Sequence, residues 1–195
     1  AALAVLAQRH RLLVKETSAL ESLARLRWLG VDKTGTITTG HFCVRRMKAL
    51  SRWTQRDMLR WAASVESKDS HPLAQAVVQG FTGCMATFSE NGGLAEVSHF
   101  QRRGRCGVVG AVEGNWIGIG NTDFLAAEGI SLPEAAAEIH AAWAGEGSVL
   151  FIAVDEEVAG VLLLSDTLRV DARETVAQLK GLGVRLGLLT GDKGP

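Results

Sequence analysis

The segment VDKTGTITTG, residues 31–40, places one carboxylate, Asp32, at the end of a short apolar approach and follows it at once with Lys33, Thr34, Gly35 and Thr36. Far along the chain a second apolar run, VRLGLL, leads into Thr190, Gly191 and Asp192. A carboxylate so placed can act as a nucleophile and form an acyl phosphate. Hydroxyls of Thr34 and Thr190 and the N–H of Gly191 suit the phosphoryl oxygens, over which charge spreads in the transition state, and Lys33 offsets anionic charge beside them. An isolated D-x-T is more often an ordinary turn; the unbroken DKTGT with a later TGD is what favours phosphoryl chemistry.

For that chemistry both segments must leave one rim of a sheet. In an open parallel sheet ligands gather beyond the carboxyl ends of the strands, and WLGV before Asp32 and VRLGLL before Thr190 both read as buried strands. VLFIAV and VAGVLLL are further continuous apolar runs, and ARETVAQLKGLG between VAGVLLL and VRLGLL reads as a helix ended by glycines. Strand, helix, strand with apolar strands predicts a parallel sheet covered on both faces. Between the two halves lies different material. FCVRRMKAL alternates weakly, as a half-exposed strand does. Thr54 and Asp57 form a capping-box pattern ahead of the stripe Met58, Trp61, Ala62, Val65, and Pro72 opens a helix buried through Leu73, Ala76 and Val77. Residues 80–121 are rich in glycine and short strands, and Ser131, Pro133 and Glu134 open a helix running to about Trp143. Upstream, Leu20, Leu23 and Ala24 share a helical face capped by Thr17 or Ser18. The economical reading is an α/β domain (24–42 and 156–195) interrupted by an inserted α+β domain (43–155), with 1–23 as a helical lead-in.

Composition excludes several classes. The 195 residues carry 21 basic and 21 acidic side chains, so no basic excess points to nucleic acid. Cys43, Cys84 and Cys106 form neither a C-x-x-C pair nor a finger spacing, which predicts a reducing, cytosolic setting without structural zinc. The longest apolar run is strand-sized, far below the roughly 18–20 residues of a membrane span. The five tryptophans are read as core or domain-packing groups, and the remaining histidines, His10, His41, His99 and His140, show no metal-ligand spacing.

DKTGT followed by TGD resembles the signature of P-type ATPases, whose phosphorylation domain has a haloacid dehalogenase-like fold. LLVKETSALESLARL looks like that family's helix leading from the membrane, and SDTLRVDARETVAQLKGLGVRLGLLTGD like the later half of its phosphorylation domain. The resemblance implies that Asp32 is the phosphorylated aspartate and a Mg²⁺ ligand. Thr34, Thr190, Gly191 and Asp192 would line the phosphate site, with Asp166 ordering the loops beneath it. It also implies that the insert is a nucleotide-binding domain with an antiparallel sheet. Glu66 followed by SHPLAQAV is similar to the Ser-x-His-Pro element of heavy-metal-transporting members. By position, Glu66, His71, Gly107, Gly120 and Asn121 are then the residues that hold the adenine and ribose of ATP.

Two departures bear on nucleotide affinity rather than on fold. Arg105 stands where the family has the first glycine of a Gly-x-Gly pair, and Asp69 stands in the serine position of Ser-x-His-Pro. The family's later lysine and its magnesium-binding Gly-Asp-Gly element are expected beyond residue 195. The isolated chain is therefore expected to bind ATP at most, as a monomer, while the intact protein would use ATP and Mg²⁺ to drive a heavy-metal ion through membrane helices outside this sequence. That implies a cytosolic portion of a membrane protein, in a bacterial plasma membrane. SVESKDSHPLAQAVV and SDTLRVDA lean toward zinc, cadmium and lead exporters over copper exporters. The alternatives are a potassium-pumping relative, which shares DKTGTIT but not SHPLA, a soluble phosphatase of the same superfamily, and a nucleotide-sensing module. The phosphatases usually carry a second aspartate two residues after the nucleophile, where this chain has Thr34.

Overall fold

The computed structural model describes residues 14–50, 52–85 and 93–189, which fall into two compact units. The first unit holds α1 (Thr17–Ala24), β1 (Trp28–Asp32) and the segment Lys33–Ile37; the second then spans Thr38–Leu168. Among the described residues no helix is long and apolar enough to cross a membrane.

The second unit is built on a six-stranded antiparallel sheet. Its strands are β2 (Thr38–Ala49), β3 (Val97–Arg103), β4 (Gly107–Val112), β5 (Asn115–Gly120), β6 (Ser148–Val154) and β7 (Glu157–Leu168), in the order β2-β7-β6-β5-β4-β3. On one face lie α2 (Gln55–Glu66) and α3 (Pro72–Met85), and on the other α4 (Thr122–Ala127) and α5 (Glu134–Trp143). Thr54 and Asp57 do form the predicted cap: the Asp57 N–H donates to Thr54 Oγ1 at 3.1 Å and the hydroxyl donates back to the carboxylate at 2.6 Å. Met58, Ala62 and Val65 then face Val108, Val112, Ile117 and Leu162. Phe124, Leu125 and Ala136 pack with Val109, Phe151 and Val161 on the opposite face. The β4–β5 hairpin is tied to α2 by Arg60, which donates to both Glu113 oxygens at 3.0 and 2.8 Å, and by Trp61 Nε1 at 3.0 Å.

VAGVLLL was expected in the parallel sheet; it is instead in β7, antiparallel to β6 in the middle of the second unit. The physical reason is that a strand covered on both faces is apolar throughout, whichever way its neighbour runs. The second compact unit, Thr38–Leu168, extends past residues 43 and 155 at its two ends. Its entry and exit strands pair with each other, Thr38 opposite Leu168, with Thr38 Oγ1 donating to Asp166 Oδ2 on β7. The other Asp166 oxygen is buried and has no hydrogen-bond partner among the described residues.

In the first unit, α6 (Ala172–Gly181) leads to β8 (Arg185–Leu189), which lies parallel to β1. The helical cap at the head of α1 is Glu16, rather than Thr17 or Ser18. Ser131 likewise makes no cap: the residue before α5 is Pro133. Trp28, read from sequence as a core or domain-packing group, is 56% exposed. Its ring lies over Gly187 and Gly30, where an added Cβ would come within 2.6 and 3.1 Å of it.

Candidate functional site

In the first unit the parallel register decides where Asp32 sits. Trp28 pairs with Arg185 and, at the far end, Asp32 with Leu189, so the carboxylate stands at the carboxyl edge beside the last described residue before Thr190. Thr190, Gly191 and Asp192 themselves lie outside the described residues. After Asp32 the chain turns sharply. Thr34 (φ −78°, ψ 122°) and Gly35 (φ 78°, ψ −8°) are the central residues of a type II turn, whose second position requires positive φ and hence favours glycine. The turn leaves Asp32 and Thr34 exposed.

Magnesium takes several oxygen ligands at once. Asp32 offers a single carboxylate, and among the described residues no group of three or more potential metal-ligating side chains gathers.

The second unit carries a cleft of about 740 Å³ between the end of α2, the head of α3 and the strands β4 and β5. All five nucleotide residues expected from sequence, Glu66, His71, Gly107, Gly120 and Asn121, line it. Glu66, the last residue of α2, is 6% exposed. Burial, and then the charge of Asp69, push its carboxyl up to about 8, against the pull of Arg102. At neutral pH it is an acid that can donate one hydrogen bond and accept another.

His71 caps α3. The Leu73 N–H donates to its Nδ1 at 3.2 Å, which leaves Nε2 to carry the ring proton for a ligand. The His71 N–H in turn donates to Asp69 Oδ1 at 2.8 Å. Asn121 has a structural duty as well: its Oδ1 accepts from the Phe124 N–H at 3.0 Å and caps α4.

Gly107 and Gly120 are opposite each other on β4 and β5. A Cβ on Gly107 would lie 2.3 Å from the Ile119 carbonyl, and one on Gly120 would lie 2.3 Å from Phe124 Cγ. Packing behind the sheet is enough to demand glycine at both, and the flat backbone then forms the cleft floor.

Asp69, Arg102 and Arg105 also line the cleft. Asp69 and Arg105 stood out in the sequence only as departures from a pattern; its signal for a role was an aspartate two residues before a helix-capping histidine. Arg102 carried no signal, because it reaches the cleft from β3 and pairs with Asp69 33 residues away in sequence. The set suits a planar base with a hydrogen-bonding edge, and its volume is in the usual range of about 300–1,000 Å³ for small-molecule sites.

Comparison with known proteins bears on both units. Residues 26–194 match the haloacid dehalogenase-like hydrolases. The chain is 34% identical over 194 residues to the probable copper-transporting ATPase PacS of Synechocystis sp., covering 94% of this chain and 25% of that protein. It is 37% identical over 182 residues to the putative cadmium/zinc-transporting ATPase HMA4 of Arabidopsis thaliana, covering 93% of this chain and 15% of that one. Among solved structures, a zinc-transporting PIB-type ATPase in the E2.Pi state superposes with a TM-score of 0.78 at 28% identity, over 93% of this chain and 28% of the other. The chain thus spans about a quarter or less of the curated relatives named here.

Proposed function

The chain belongs to the haloacid dehalogenase-like hydrolase family, and from that premise we propose that it is the ATP-binding and phosphorylation region of a P-type pump for heavy-metal cations. ATP is the substrate of the cleft in the second unit, and Asp32 in the first accepts the phosphoryl group. The transported ion is selected by membrane helices outside this sequence, so copper, zinc and cadmium pumps all remain within the reading. A cytosolic position for both units follows from it.

The observation that carries the proposal is the parallel register that sets Asp32 opposite Leu189 at one sheet edge. It supports the reading by setting the carboxylate beside Leu189, the last described residue before Thr190. In the transfer a carboxylate oxygen of Asp32 attacks the γ-phosphorus, the bond to the β,γ-bridging oxygen breaks, and ADP departs. Lys33 and Thr34 stabilise the oxygens, and water later hydrolyses the acyl phosphate. A threonine two residues after Asp32, in place of a carboxylate, supplies no proton shuttle there and suits an intermediate that persists. Magnesium, when bound, offsets the phosphate charge.

In the cleft Glu66 hydrogen-bonds the base and His71 contributes its Nε2–H, while the glycine floor of β4 and β5 lets the base lie close to the backbone. The test is phosphoenzyme trapping in the intact pump with γ-labelled ATP. A hydroxylamine-sensitive label, stimulated by a heavy-metal ion and reduced to background by Asp32→Asn, is the expected result. Label that survives Asp32→Asn would refute the assignment.

A further inference from the structure

We infer that Asp69 makes the cleft select adenine over guanine, by engaging the Arg102 guanidinium that would otherwise be available to Glu66. This rests on the nucleotide reading above and adds to it a residue that reading does not use.

Three ionisable groups from three elements meet in the cleft: Glu66 at the end of α2, Asp69 in the turn before α3, and Arg102 on β3. The Asp69 side chain is only 7% exposed, yet its Oδ1 accepts from both the His71 N–H and Arg102 Nη2. Arg102 is 54% exposed and reaches in from the rim. Glu66 is buried, and its carboxyl makes no hydrogen bond among the described residues. The titratable and charged groups sharing the cleft with it are Asp69 from the turn, His71 from the head of α3, Arg102 from β3, and Arg105 and Cys106 from the β3–β4 hairpin.

The two bases ask opposite things of a carboxyl. Adenine presents a ring-nitrogen acceptor next to an amino donor, which a neutral carboxyl matches with its O–H and its carbonyl. Guanine offers adjacent N–H donors on its pairing edge, which match an ionised carboxylate accepting twice. Whichever group holds Arg102 therefore settles which base fits. With Asp69 as its partner, Arg102 is neutralised and Glu66 keeps its proton. With the serine found at this position in the resembled motif, the guanidinium would be free to favour ionised Glu66.

Asp69→Asn removes the charge and keeps an oxygen for the His71 N–H. The Glu66 carboxyl is followed by carbon-13 NMR against pH in the unliganded chain, and dissociation constants for ATP and GTP are measured across the same range. The ATP-to-GTP ratio cancels titration of the triphosphate. In Asp69→Asn the Glu66 midpoint is expected to fall. At a pH between the two midpoints the preference for ATP falls several-fold, toward about tenfold for each unit separating them. A structural loss alone would weaken both nucleotides alike and leave the midpoint in place. Either an unmoved midpoint, or a moved midpoint with an unchanged ratio, overturns the inference and leaves nucleotide binding intact. Failure of the wild type to bind either nucleotide overturns both readings, and the NMR midpoint, which needs no ligand, shows which part of the chemistry was at fault. Asp69→Ser, retaining a hydroxyl acceptor, repeats the comparison should Asp69→Asn not fold.

Discussion

Glu66 couples the stability of the second unit to pH. Its carboxyl is held at about 8 against an ordinary 4.5, mainly because burial disfavours the charged form. Below the lower value both folded and unfolded chains hold the proton, and the contribution is at its full size. As pH rises from there the unfolded chain ionises while the folded one does not, so stability falls until about 8 is passed. Each unit of difference is worth about 1.4 kcal/mol, so several kcal/mol are at stake. Glu66→Gln is expected to flatten this slope in denaturant titrations across the interval. A slope that persists in the variant would place its origin in another group. His71 separates two duties in the same way. Asn can cap a helix as well as the imidazole does, so His71→Asn should keep stability within about 0.5 kcal/mol while ATP affinity drops; His71→Ala should also lose about 1 kcal/mol of cap. A polar residue before Pro72 suits a cap as well as a ligand, so sequence alone does not divide the two duties. The cap bond uses Nδ1 alone, which is why the two are compatible.

At the scale of elements, what was legible was whatever is specified locally. The Thr54 cap, the apolar stripe of α2, the Pro72 start of α3 and the strand ending at Asp32 all depend on neighbours within a turn or two. Strand direction does not. β6 and β7 are buried by α2 on one side and by α4 and α5 on the other, so their composition carries no record of an antiparallel partner. Their hairpin is marked only by Asp155 and Glu156, both at positive φ (47° and 70°), without the glycine that such a turn favours. The Asp155 carboxylate accepts from the Trp116 N–H at 2.9 Å, a bond that compensates its conformation. Glu156→Gly is therefore expected to stabilise the unit by about 0.5–1 kcal/mol, and Asp155→Gly to give no such gain. Thermal unfolding of the two variants checks the contrast. Gly120→Ala works in the other direction, because its Cβ would strike Phe124 and the Cys106 carbonyl at 2.3 and 2.5 Å. A loss of about 1–3 kcal/mol is expected, and it should appear in the apo chain, before any nucleotide is added.

For the whole molecule, the division of the chain has a consequence for folding. Both apolar clusters, the one beneath α2 and α3 and the one beneath α4 and α5, consist entirely of residues between 42 and 164. The first unit exposes Trp28, Leu182, Leu188 and Leu189 around a sheet of two strands, and a sheet of that size is marginal in water. The pairing of β2 with β7 is not written in the local sequence, because residues more than a hundred apart reveal their register only in the folded chain. With that pairing included, the insert closes on itself: Thr38 opposes Leu168 and hydrogen-bonds Asp166, so the two ends of the segment are already joined. A fragment of residues 38–168 is accordingly expected to unfold in one cooperative transition and to bind ATP with a dissociation constant close to that of the longer chain. Circular dichroism during urea titration and calorimetry with ATP are the measurements. A fragment that binds ATP but melts without cooperativity would mean that the strands β1 and β8 complete its core, against the separation of the two clusters from the first unit.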